Sequence, residues 1–257
     1  MGQHNATWQT TTELPVGYLN EVDRILNRQA KLRKMTGREE ALLADPKLRG
    51  NSGKLITALL ANCVVSIEGV SQVTHGVIRG LASGDRNFLL LELRRLTFGD
   101  ELPARYRCPS CQGITEVWEN LSELEIKQAE DAAQEIQVVL KDGYQDPDGN
   151  WQYDVSLRLP NGEDEEVAAG RRDTNPTRQR DALLARCLTR VGALEERRIR
   201  ALGVRILSDL SMPDRRLIQK AMDDAAPGPD LTREVTCQHC GEVYQAGLDM
   251  SNFFPLE

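Results

Sequence analysis

Short blocks of this sequence occur twice in the same order, and both series end in Cys-x-x-Cys. Leu81-Ala-Ser-Gly-Asp85-Arg86 matches Leu210-Ser-Met-Pro-Asp214-Arg215, Gly99 matches Gly228, Leu102 matches Leu231, and Cys108-Pro-Ser-Cys111 matches Cys237-Gln-His-Cys240, all at an offset of 129. Upstream, Leu59 to Cys63 matches Leu183 to Cys187 at an offset of 124, so one short length change separates the blocks. Such an ordered series implies a duplicated unit. A chain of 257 residues has room for two of them. The expected division is a polar tail over 1–12, a first unit over 13–134 and a second over 135–257.

Each unit reads as α+β: a hairpin, then helices, then a second hairpin carrying the cysteines. In the second unit Trp151 to Leu159 alternates, Asn161-Gly162 is a turn signal, and Glu163 to Ala169 reads as the returning strand. In the first unit Glu13 to Leu19 and Ile25 to Lys34 take that part. Thr36-Gly-Arg-Glu39 has capping-box spacing ahead of Ala41-Leu42-Leu43, which predicts a helix start. Lys54 to Ser66 and Thr177 to Val191 read as helices with one apolar face. Asp85 and Asp214 stand where N-caps belong, each ahead of a helix that stops at a glycine, Gly99 or Gly228. Strands then enter and leave each Cys-x-x-Cys. Ile136 to Leu140 predicts a further strand, and Asp142 to Asn150 a loop.

A Cys-x-x-Cys on a tight turn between strands aims two thiolates at one point, which is half of a tetrahedral zinc site. Outside the motifs neither copy has a nearby His or Cys to complete a site alone. The separation of Cys111 from Cys237, 126 positions, is far too long for a self-contained finger. Duplication resolves this: two related knuckles facing each other across a pseudo-twofold axis can share one ion. The candidate ligands are Cys108, Cys111, Cys237 and Cys240, holding one structural Zn²⁺ per chain and joining the pseudo-symmetric halves. Four thiolates leave no open coordination position, so the ion is structural and not catalytic. Unliganded thiols or a redox pair are the alternatives, but no βαβ context surrounds either motif. His239 reads as an outward-facing knuckle residue in preference to a substitute ligand. Cys63 and Cys187, at matched positions in apolar runs, read as small buried hydrophobes.

Reaction chemistry is scarce elsewhere. The histidines at 4, 75 and 239 are scattered and make no HExxH. Gly50-Asn-Ser-Gly53-Lys54 fails as a phosphate loop, since no glycine lies five residues before Gly53 and Leu55 stands where Ser or Thr is needed. The expectation is a non-enzyme. A net charge of −7 opposes sequence-independent nucleic-acid binding, which leaves a zinc-ribbon nucleic-acid-binding or regulatory module as the alternative. There is no run of about 18 apolar residues to span a membrane, and residues 1–12 lack the apolar centre of a signal peptide. Ala6 breaks the myristoylation pattern that Gly2 begins. In a reducing cytosol six cysteines argue for metal binding or core packing over disulfides, and the sequons at Asn5 and Asn120 carry no meaning. Arg171-Arg172 and Glu195 to Arg200 read as solvated charged faces. Phe253 and Phe254 allow two readings. By the repeat offset Phe253 corresponds to Leu124 and packs beside the cysteine hairpin. Alternatively the pair docks into a partner, because exposed apolar surface is unfavourable in water. Both are carried as candidate partner-binding residues.

Met35-Thr-Gly-Arg-Glu-Glu-Ala-Leu-Leu-Ala-Asp45, Leu59 to Cys63, Leu81 to Arg95, Phe98-Gly99-Asp100, Pro227 to Leu231, both cysteine pairs and the Phe253-Phe254 end follow one another in a set order. In that order they resemble the T-even phage baseplate hub assembly family, over most of residues 13 to 256. The resemblance implies a structural or assembly protein of the baseplate of a contractile phage tail or contractile injection system. It implies partners among hub, spike, wedge and tube proteins, with no small-molecule substrate, nucleic acid or membrane. It places the protein in the host cytoplasm during assembly and then in the baseplate. No catalytic residues carry over, and the cysteines carry over only as the zinc site. Asp142 to Trp151 has no counterpart in the family pattern.

Overall fold

Ala30 and Leu32 are buried and alternate with Gln29, Lys31 and Arg33, a period of two that turns one face of an antiparallel sheet inward. The computed structural model describes residues 8–20, 25–129, 135–170, 175–250 and 253–254. His4, the Asn5 to Thr7 sequon, Arg171, Arg172 and the boundary expected at 134 lie outside them. In chain order the first half holds β1 (Gln9–Leu19), β2 (Leu26–Arg33), α1 (Gly37–Ala44), α2 (Pro46–Arg49), α3 (Ser52–Cys63), β3 (Val64–Ile67), α4 (His75–Gly80), α5 (Ser83–Phe98), β4 (Glu101–Arg107), β5 (Ile114–Asn120) and β6 (Ile126–Lys127). The second holds β7 (Glu135–Gln145), β8 (Trp151–Arg158), α6 (Gly162–Ala169), α7 (Pro176–Cys187), β9 (Leu188–Val191), α8 (Glu196–Leu202), α9 (Val204–Asp209), α10 (Met212–Ala225), β10 (Gly228–Pro229), β11 (Thr232–Thr236) and β12 (Val243–Gly247). The class is α+β, as expected. Each half opens with a three-stranded antiparallel sheet, ordered β1-β2-β3 and β7-β8-β9.

Both sheets are irregular at the same place. The β1–β2 register slips between Glu13 and Tyr18, and the β7–β8 register slips between Val139 and Tyr144. Gly17 and Gly143 sit in these bulges at φ +98° and +83°, a region open to glycine at no steric cost. A bulge turns backbone N–H groups out of the ladder, and a buried donor needs a partner. Asp85 on α5 accepts from Val16 N–H at 2.7 Å and Gly17 N–H at 2.9 Å. Asp214 on α10 accepts from Lys141, Asp142 and Gly143 at 2.7, 3.0 and 3.1 Å. These two aspartates are therefore not the N-caps the sequence reading made them. Ala82 and Ser211 hold the cap positions, and the aspartates lie inside the first turn, fully buried and aimed at the sheet. Burial pushes the Asp85 carboxyl up to about 6, against its two N–H donors.

Three further expectations change. The segment Glu163 to Ala169 is helix α6 and not a returning strand. Asn161 is its N-cap, closing a capping box with Asp164, and the acidic first turn favours the helix dipole. The hairpin of the second half is formed instead by β7 and β8. Helices α3 and α7 stop at Cys63 and Cys187, because the Val64–Ile67 and Leu188–Val191 runs pair as strands with β2 and β8. Finally, β1 begins at Gln9, inside the stretch assigned as tail. The expected helix at Gly37 is present with its Thr36–Glu39 capping box. The Arg33 hydrogen bond and ion pair hold the buried Glu39 carboxyl down, to about 2.

Each half has its own apolar core, around Leu32, Leu60 and Leu89 in the first and Val155, Ile206 and Ile218 in the second. A third core lies where they meet and draws on both: Leu91, Leu102, Tyr106, Leu124, Val235, Leu248 and Phe253. Phe253 is fully buried there with Leu124, as the repeat offset places it; Phe254 packs half-buried beside it. The halves are also joined through α6, which lies against α3 and α4. Arg86, with no exposure, gives its guanidinium to Glu165 of α6 at 2.9 Å, and to Thr57 Oγ1, Ile78 O and Gly53 O. Thr57 Oγ1 donates to Glu166 Oε1 at 2.6 Å, and Asn51 Nδ2 to Glu166 O at 2.8 Å. Gly53 permits this approach, since a Cβ there would fall 2.6 Å from the Glu166 nitrogen.

Candidate metal centre

The hairpins β4–β5 and β11–β12 place their cysteines on turns of one design. Cys108 N–H donates to Gly113 O at 2.9 Å and Gln112 N–H to Cys108 O at 3.0 Å. In the other hairpin Cys237 N–H donates to Glu242 O at 2.8 Å and Gly241 N–H to Cys237 O at 3.0 Å. The residue after the second cysteine is left-handed in both, Gln112 at φ +62° and Gly241 at φ +76°. This tight reversal turns both sulfurs of a pair to the same side.

The two turns face each other. Cys108 Sγ lies 3.7 Å from Cys240 Sγ, and Cys111 Sγ lies 3.6 Å from Cys237 Sγ. All four sulfurs fall within 4.8 Å of one another. A tetrahedral ion with zinc–sulfur bonds of about 2.3 Å needs sulfurs about 3.8 Å apart. The cross-pairing, first to last and second to first, is what a twofold axis through the centre requires. Four soft thiolates without a carboxylate or an open position suit a structural Zn²⁺, so the donor set and its spacing fit the ion expected from the sequence.

Electrostatics around the sulfurs point the same way. N–H groups of His239 and Cys240 hold the Cys237 thiol down, to about 6. The Glu242 N–H favours ionised Cys240, but the crowding sulfurs of Cys111, Cys237 and Cys108 push that thiol up to about 12. Thiolates this close repel, and a divalent cation removes the conflict. Cys108 and Cys237 are buried, whereas Cys111 and Cys240 are exposed. The His239 ring does not join them: its Nε2 lies 3.0 Å from Ile114 O on the opposite hairpin. Gln238 N–H reaches Thr115 Oγ1 at 3.3 Å, and Arg233 pairs with Glu119, so the second knuckle also grips β5 directly. Cys63 and Cys187 are not part of the centre. Each is fully buried in its own half, and burial pushes both thiols up to about 12. The sequence reading missed Arg86 and α6 as a second junction, although Arg86 stands in a matched block beside Asp85.

Fold and centre together define an α+β protein whose halves meet at a four-cysteine site suited to a metal. The family model described as T4 bacteriophage base plate protein matches residues 9–255, nearly the whole chain, and the chain belongs to that family. No curated protein and no solved structure matches it. Family membership supports a structural role in a phage baseplate, among other baseplate proteins. Among the described residues no helix is long and apolar enough to cross a membrane.

Proposed function

We propose that this protein is a non-enzymatic adaptor of a contractile tail or injection-system baseplate. In this reading it is a duplicated chain, with a first unit that opens on β1 and a second over 135–257, locked together by one structural Zn²⁺ at Cys108, Cys111, Cys237 and Cys240. It acts by binding hub, spike or wedge components after synthesis in the host cytoplasm. The observation that carries the reading is a four-thiol cluster drawn equally from both halves of a base plate family member. Duplication is further supported by matched elements: α3 and β3 recur as α7 and β9 at an offset of 124, and β1 as β7 at 126. When bound, the ion supplies a cross-link between segments far apart in the chain. Metal analysis of the purified protein is expected to find one zinc equivalent per chain; none or two would refute the shared site. Pull-down with hub, spike and wedge proteins is expected to capture at least one of them, and capture of none would overturn the adaptor role.

A further inference from the structure

The duplicated reading makes one difference between the halves informative. In the first half the groove between α3 and α5 is filled by α6, whose Glu165 meets Arg86. The matching groove in the second half, between α7 and α10, is open: a cavity of about 200 Å³ whose lining includes Thr177, Asp181, Leu207, Met212, Arg215 and Arg216. Thr177, Asp181, Leu207 and Arg215 stand where Gly53, Thr57, Ile78 and Arg86 stand in the first half. Met212 is 60% exposed at the rim.

The counterpart of α6 in the first half is α1, with Thr36 for Asn161, Glu39 for Asp164, Glu40 for Glu165 and Ala41 for Glu166. Its outer residues Glu40, Ala41 and Ala44 are exposed. The exchanges are complementary. Asp181 replaces Thr57 and would repel a glutamate in the place of Glu166, but α1 offers Ala41 there. Glu40 keeps the acid that faced Arg86; Arg215 is already paired with Asp181, so the exposed Arg216 on the groove's lining is the cation that meets it. Thr177 in place of Gly53 holds an incoming helix further out than α6 sits, where Met212 can reach it.

We propose that α1 of one copy docks into the α7–α10 groove of another. The contact is heterologous, so it builds head-to-tail rings or open chains. This inference rests on the duplicated reading above and concerns residues other than the cysteines.

Two exposed substitutions test it in the full-length, zinc-loaded protein. Sedimentation of the unaltered chain is expected to show concentration-dependent association. Glu40→Arg spoils the helix face and Arg216→Glu spoils the groove, and each is expected to weaken association by at least about tenfold. Mixed one to one, the two variants are expected to recover association, because one contact keeps both unaltered faces and the other exchanges the two charges. A monomer at every concentration, association indifferent to both variants, or a mixture that stays monomeric would overturn the proposal. Zinc content and capture of baseplate proteins are read on the same samples. If these persist while association is absent, the docking inference falls and the adaptor function stands. Capture that Arg216→Glu abolishes while the unaltered chain stays monomeric would assign the groove to a different protein.

Discussion

Arg86 and Arg215 occupy matching positions, yet they do different work. Arg86 is fully buried and spends its charge on α6 of the other half. Arg215, with a side chain 24% exposed, pairs within its own half with Asp181, at 2.6 Å to both carboxylate oxygens. One substitution, Thr57 against Asp181, accounts for the change. A hydroxyl leaves the guanidinium in need of an acid from elsewhere, and a carboxylate satisfies it locally. The junction is thus lopsided at the helices while remaining twofold at the sulfurs. Both halves contribute one cysteine pair to the cluster, and unequal surroundings at the arginines give the first half a neighbour that the second lacks.

The largest effect tests the symmetric part. Removing the metal with a chelator, or by Cys111→Ser or Cys240→Ser, is expected to lower stability by several kcal/mol, given that structural zinc supplies on the order of 10 kcal/mol. Limited proteolysis should then attack both halves, and the two serine variants should behave alike. If only one half became sensitive, the pairs would not share an ion.

Next comes the lopsided part. Arg86→Met strands Glu165 and two backbone carbonyls in a buried site, with an expected loss of about 3–5 kcal/mol in denaturant unfolding. Arg215→Met is expected to lose less, about 1–3 kcal/mol, because Arg215 is itself partly solvated although the Asp181 it leaves behind is buried. Equal losses would mean that the α6 junction contributes no more than a surface pair.

A pH series sharpens the view of the bulge clamp. Folding raises Asp85 from an unfolded value of about 3.9 to about 6. Its contribution is therefore complete below pH 4 and is lost as pH rises through 6. Between those values the unaltered chain should lose about 2–3 kcal/mol relative to Asp85→Asn. A pH-independent difference would show that the two N–H donors fully offset burial.

The smallest effect concerns the caps. Thr36→Ala and Asn161→Ala should each lose about 1 kcal/mol by thermal or denaturant unfolding. Only Asn161→Ala should also expose the Glu165–Arg86 junction, which faster amide exchange in α6 than in α1 would report.

Local chemistry explains which of these features could be read in advance. The Thr36 box, the glycine after α5 and the paired cysteines are short-range signals, and each appears where its spacing places it. The α6 helix was missed because Asn161-Gly162 satisfies a turn and a helix start equally well. Asp164, three positions on, decides the matter. Asp85 and Asp214 were placed in the correct turn but given the wrong task. Their N–H partners lie some 70 residues away in bulges that no periodicity announces. The α6 junction was illegible for a similar reason, since Arg86, Thr57 and Glu165 come together only after both halves have folded. Phe253 admitted two readings because an aromatic pair in sequence looks the same whether its own chain or another covers it.

The spacing of the cysteines has a consequence in time. Ribosomes add about 5–20 residues per second, so Cys237 follows Cys111 out of the tunnel by about 6–25 s. Throughout that interval the leading pair of thiols is made but lacks its other half. If the four thiols hold the proposed ion, nascent chains pass through a stage open to oxidation or to capture of a wrong ion, and the speed of elongation sets how long that exposure lasts.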